Sequence, residues 1–107
     1  MRLTIDEAAQ EEARALVAFY AERNPKAASR LAELFVMAIE RVARSPRRFS
    51  LMEGSRRDDV RRARLRGFPI IIIYQLLTDE VFVVAVAHTS REPGYWTSRL
   101  RPQRPSH

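Results

Sequence analysis

The chain predicts an α+β domain in which an N-terminal helical hairpin packs on one face of a small antiparallel sheet, in the order β-α-α-β-β-β. Three observations carry this. Apolar residues recur at helical spacing up to residue 44, and an Asn-Pro pair interrupts them once. After residue 60 the apolar period changes from 3.6 to 2. Helices followed by consecutive strands, rather than alternating with them, make an antiparallel sheet with helices on one side.

Met1 to Thr4 is long enough for one brief strand. Thr4-Ile5-Asp6-Glu7 has capping-box spacing, and Asp6 offers an alternative cap. A helix is expected from about Asp6 to Arg23, with Ala9, Ala13, Leu16, Val17 and Tyr20 on one face. Asn24 is a favoured N-cap and Pro25 a favoured first helical residue, so a second helix starts at once and runs to about Arg44. Its apolar face is Ala28, Leu31, Ala32, Phe35, Ala38, Ile39 and Val42, and Ser45-Pro46 ends it.

Arg47 to Asp59 reads as a loop anchored by Phe49, Leu51 and Met52, with a turn at Gly54. In Val60 to Arg66, strand geometry puts Ala63 and Leu65 on one face and a stripe of Arg62, Arg64 and Arg66 on the other. Ile70 to Leu77 is apolar on both faces and is expected at the centre of the sheet, between its sequence neighbours. Thr78-Asp79-Glu80 connects it to a return strand, Val81 to Ala87. Residues 1–100 form the single domain, and the Arg/Pro segment 101–107 is expected to fray.

With 107 residues and 46% apolar content the chain supports one compact core. The absence of cysteine excludes disulfides, thiol nucleophiles and cysteine-based metal sites, and two histidines are too few for a histidine-built one. No cofactor or metal is expected. The longest apolar run is far short of a membrane span of roughly 20 residues, and no signal-peptide pattern opens the chain, so a cytoplasmic protein without membrane contact is expected. Charge is uneven. Residues 1–40 hold 7 acids and 5 bases, whereas 41–107 hold 6 acids and 14 bases. A basic second half points to an anionic partner, either nucleic acid or an acidic protein segment; a solvated arginine surface is the alternative.

Scarce residues crowd into Ala85-Val86-Ala87-His88-Thr89-Ser90-Arg91-Glu92-Pro93-Gly94-Tyr95-Trp96, which holds one of the two histidines and the only tryptophan. Strand alternation places His88 on one face with Phe82, Val84 and Val86. RNA transesterification needs a base, an acid and cations for the phosphorane charge. His88 or Tyr95 could move protons, with Arg62, Arg64 and Arg91 holding charge. The structural alternative is a hydrogen-bonded His88 at a strand end, with Tyr95 and Trp96 closing the core.

The order of these motifs resembles the RelE/ParE superfamily of toxins from bacterial type II toxin–antitoxin systems. The resemblance is closest to ParE-type members, often called plasmid stabilisation proteins. It rests on Asn24-Pro25 between two helices, Ser45-Pro46, the Arg-rich strand, Phe68-Pro69 with Tyr74, and above all His88…Arg91-Glu92-Pro93-Gly94-Tyr95-Trp96. It implies a toxin that inhibits growth and is neutralised by a cognate antitoxin, here expected to be acidic. RelE-type members are ribosome-dependent mRNA endoribonucleases that use lysines, arginines and a C-terminal tyrosine or histidine. This chain has no lysine after Lys26. ParE-type members lack that cluster, and those studied poison DNA gyrase. The resemblance therefore implies a toxin that binds DNA gyrase rather than an enzyme, with Arg62, Arg64, Arg66, Arg91, Tyr95 and Trp96 as candidate contacts to target or antitoxin. The alternative is an mRNA interferase acting on ribosome-bound message through Arg62, Arg64, His88, Arg91 and Tyr95. A third reading is a degenerate member that keeps only antitoxin binding.

Overall fold

The computed structural model describes residues 1–54 and 57–103, so the middle of the expected 47–59 loop and residues 104–107 lie outside the described residues. Strand β1 (Arg2–Ile5) leads into α1 (Glu7–Arg23) and α2 (Pro25–Arg44), followed by β2 (Ser50–Leu51), β3 (Val60–Arg64), β4 (Ile70–Leu76) and β5 (Glu80–His88). Asp6, not Thr4, caps α1: its carboxylate accepts the Ala8 N–H at 3.0 Å. Asn24 serves both helices. Its N–H donates to the Tyr20 carbonyl at the end of α1, while its side-chain oxygen accepts the Ala27 N–H at 3.2 Å at the start of α2. One residue thus replaces a loop, which forces the helices into an antiparallel pair.

The five strands run in the order β1-β5-β4-β3-β2, with the twice-apolar β4 at the centre and β3-β4-β5 as an antiparallel meander. The expected sheet differs in two respects. β1 pairs parallel to β5, so the sheet is mixed. β2, inside the expected loop, is an extra edge strand whose two residues pair with Arg62 and Arg61. It rests on backbone pairing alone, so no apolar period announces it. Leu51 consequently points outward at 42% exposure instead of anchoring the segment, whereas Phe49 packs edge-on against Tyr74 with ring centroids 6.1 Å apart. β3 ends two residues earlier than expected, where the Leu65 N–H to Ile70 carbonyl bond closes the turn to β4.

A β-bulge in β5 changes which residues face the helices. Ile73 lies opposite Ala85 and Tyr74 opposite Val83, which leaves Val84 as the extra residue. Before it, Val81 and Val83 join the helix-side core and Phe82 and Val84 the other side. After it the parity inverts: Ala85 and Ala87 lie away from the helices and Val86 toward them. His88 lies opposite Ile70 and so follows Val86 in register rather than Phe82 and Val84, but as the last residue of β5 it borders the cleft on the face of Ile71, Ile73 and Ala87.

The sheet is covered on both faces. The helices bury Leu31, Val42, Ile72, Tyr74 and Val83 against one, and the segment after β5 folds over the other, with Trp96 only 6% exposed. This returning strap is tied along its length. The buried Gln75 amide donates to the Arg101 carbonyl at 2.7 Å and accepts the Arg101 N–H at 2.9 Å, standing in for a strand partner. Arg101 pairs with Glu80 at 2.9 Å, and the Gln103 amide donates to the Asp58 and Leu76 carbonyls. The segment expected to fray from Arg101 is therefore held as far as Gln103. Replacing Gln75 with Leu leaves both Arg101 backbone groups unpaired. It should cost about 1–3 kcal/mol in urea unfolding and speed tryptic release of the C-terminal peptide; unchanged stability and cleavage would show that Gln75 does not hold the strap.

Candidate functional site

The structure divides the expected site residues among three clefts. Arg62 from β3 meets His88, Arg91, Tyr95 and Trp96 around a cleft of about 600 Å³ on the sheet face away from the helices. Arg62 and Arg64 also border a cleft of about 540 Å³ with Arg41, Arg44 and Arg48 at the C-terminal end of α2. Arg64 and Arg66 line a third, of about 680 Å³, where Leu34, Met37, Ala38, Phe68 and Ile70 supply an apolar floor and Arg41 a further charge. The stripe breaks up because β3 stops at Arg64, so Arg66 belongs to the turn.

His88 is oriented by its own turn. Its Nδ1 accepts the Ser90 N–H at 3.0 Å and lies 2.7 Å from the Ser90 hydroxyl. An Nδ1 that accepts a backbone N–H carries no proton, which assigns the neutral ring as the Nε2–H tautomer. Gly94 turns the chain at φ 76°, in the left-handed region that favours glycine. The Arg91 guanidinium stacks over the Tyr95 ring at 3.9 Å. The Tyr95 hydroxyl leaves the cleft and donates to Glu12 on α1 at 2.7 Å.

Glu12 and Arg99 are the residues that the sequence reading missed. Glu12 Oε1 accepts the Val86 N–H at 3.1 Å, and Arg99 grips both carboxylate oxygens, at 2.9 and 3.2 Å. Arg99 also donates to the Val84 carbonyl at 3.1 Å. β1 reaches only as far as Val83 along β5, so this pair satisfies the edge that β1 leaves open. One signal was available: Glu12 sits three residues after Ala9 and four before Leu16, a carboxylate inside the apolar face of a helix. Arg99 had none, since its partner lies 87 residues away.

These contacts set the protonation of the corner. Burial pushes the Glu12 carboxyl up, but hydrogen bonds from Arg99, Tyr95 and the Val86 N–H together with the Arg99 charge outweigh it and hold Glu12 below the usual carboxylate range. Burial, then the bond to Glu12, pushes Tyr95 up to about 12. That bond commits the Tyr95 hydroxyl and removes it from proton transfer near neutrality. Of the five candidate nuclease residues, Arg62, His88 and Arg91 share one cleft, Arg64 sits in the next, and the Tyr95 hydroxyl points elsewhere.

Two outcomes follow. A carboxyl whose folded value is lowered contributes stability that is complete above its unfolded value and is lost as pH falls through the folded one. Unfolding free energy should therefore decline on acidification below about pH 5, and Glu12→Gln should flatten part of that decline. The remainder includes Glu80, which is also lowered, first by the Thr4 hydroxyl and then by Arg101 against the opposing effect of burial. Trp96→Ala should destabilise the domain by about 3–5 kcal/mol in urea unfolding. A Trp96→Ala protein of unchanged stability would show that the ring does not close the core.

A model of the ParE toxin of type II toxin–antitoxin systems, parDE, matches residues 3–93. No curated protein matches the sequence. Among solved structures, one described as the chromosomal ParDE TA system from P. aeruginosa superposes with a TM-score of 0.69 at 16% identity, over 82% of this chain and 95% of that one. At that identity the superposition speaks for the fold, and the family match spans most of the chain. The match takes in the helical hairpin and all five strands, and the chain belongs to the ParE toxins of type II toxin–antitoxin systems.

Proposed function

We propose that this ParE toxin inhibits growth by binding DNA gyrase in the cytoplasm and is neutralised by an acidic cognate antitoxin. The observation that carries the binding reading over catalysis is the Glu12–Tyr95–Arg99 knot. The one tyrosine of the C-terminal corner spends its hydroxyl on a structural carboxylate, which removes the expected partner of His88 from the cleft that holds Arg62 and Arg91; the other proton-carrying side chains on that lining are the carboxylates Glu53, Asp58 and Glu92. Acid–base cleavage of RNA needs a base and an acid, and the expected pair of His88 and Tyr95 is not assembled. Arg62, Arg64, Arg66 and Arg91 are exposed on the clefts and suit contacts to a partner surface, whereas Trp96 acts through the fold.

The antitoxin reading rests on the third cleft. Its apolar floor of Leu34, Ala38, Phe68 and Ile70 and its rim of Arg41, Arg64 and Arg66 match an amphipathic segment with acids along one side. Exposed Met37, at 52%, extends that floor to the surface of α2.

Purified toxin added to gyrase and supercoiled DNA should accumulate cleaved DNA, and stoichiometric antitoxin should abolish the effect. Unaltered supercoiling and cleavage at high toxin concentration would remove gyrase as the target. If the toxin instead cuts ribosome-bound message and His88→Ala with Arg91→Ala abolishes the cutting, the protein is an mRNA interferase.

A further inference from the structure

The second cleft shares Arg41, Arg62 and Arg64 with the readings above, but its Arg44, Arg48 and two serines enter neither. Arg41 and Arg44 stand three residues apart on the last turns of α2, Arg48 follows in the 3-10 turn Pro46–Arg48, and Arg62 and Arg64 project from one face of β3. All five are exposed, and Ser45 and Ser50 add hydroxyls between them. Among the described residues no carboxylate lines the cleft and none of the five forms an ion pair. Five guanidiniums around one cavity of about 540 Å³ repel one another, and an anion relieves that repulsion.

We infer that this cleft binds the phosphate backbone of a nucleic-acid strand. Two features separate phosphates from an acidic protein segment. A docked acidic helix needs an apolar seat as well as charges, and the only large apolar residue here is Phe49, whose ring is already taken by Tyr74 on its edge and Arg41 at 5.7 Å. The planar fork of arginine matches phosphate oxygens two at a time, and serine hydroxyls between the forks supply the neutral donors that backbone contacts draw on. Contacts to phosphate oxygens carry no sequence information, so binding through the backbone is indifferent to sequence. The site does not depend on gyrase, because nucleic acid alone should occupy it.

The test is fluorescence anisotropy with labelled 20-nucleotide mixed-sequence DNA, single-stranded and duplex, titrated with the intact toxin across a salt series. With all five arginines engaged, log K should fall against log salt with a slope of about −4.5 for duplex or −3.5 for single strands. The arm that binds more tightly assigns the form of the strand. Arg44→Ala with Arg48→Ala should weaken binding by about tenfold near 100 mM salt and flatten the slope by roughly 2. Arg44→Lys with Arg48→Lys should retain the slope. Lys26→Ala with Arg30→Ala removes the same charge from the exposed start of α2 and should change the affinity little. Equal losses in the two alanine pairs would reduce the effect to net charge and overturn the site. No binding at low salt would overturn it as well, and so would poly-L-glutamate displacing DNA at equal charge concentration, which would assign the cleft to an acidic protein. Trapping of gyrase that persists in Arg44→Ala/Arg48→Ala while DNA binding fails would leave the gyrase reading standing and separate the two.

Discussion

Beyond Val83 the outer edge of β5 has no strand beside it, and the backbone groups exposed there are met by a single ion pair. Glu12 takes the Val86 N–H and Arg99 takes the Val84 carbonyl, so one carboxylate and one guanidinium substitute for about two residues of missing strand. The same pair joins the two coverings of the sheet, because Glu12 belongs to the hairpin and Arg99 to the strap. Removing either partner would strand the other in a half-buried position as well as unpairing the edge, which is the situation in which ion pairs matter most to stability. Tyr95 enters the knot from the strap side and carries Arg91 on its outer face.

The bulge at Val84 works with this knot. An extra residue locally disrupts the ladder and strengthens the twist, and it falls just where β1 gives out. Val84 thereby presents its carbonyl outward to Arg99, and the residues after it are re-aimed so that Val86 packs with the helices. The corner from His88 to Trp96 takes its orientation from this one inserted residue.

Much of the fold could be read from local chemistry. Asn24-Pro25 marks the hairpin because an N-cap and a first-turn proline leave no room for a loop, and the β-branched run Ile70–Ile73 marks the centre of the sheet because only a strand flanked on both sides buries both faces. What escaped was non-local. β2 is two residues of backbone pairing, the bulge is a property of two strands in register, and Gln75, Glu12 and Glu80 find partners 21 to 87 residues away. The candidate site suffered most, since its members were chosen by type and proximity along the chain. Clefts instead gather by topology, bringing Arg41, Arg44 and Arg48 into company with Arg62 and Arg64.

Arg41 and Arg64 line both the all-arginine cleft and the apolar one beside it. A ligand seated in either draws on the same two guanidiniums, so the two clefts are not independent sites. An acidic segment on the apolar floor would take up two of the five charges that a phosphate strand needs, and linkage requires the strand to weaken the segment by the same factor. Were both proposed ligands to bind, the two adjoining clefts would act as a single exchange point, at which one anion leaves more readily when the other arrives.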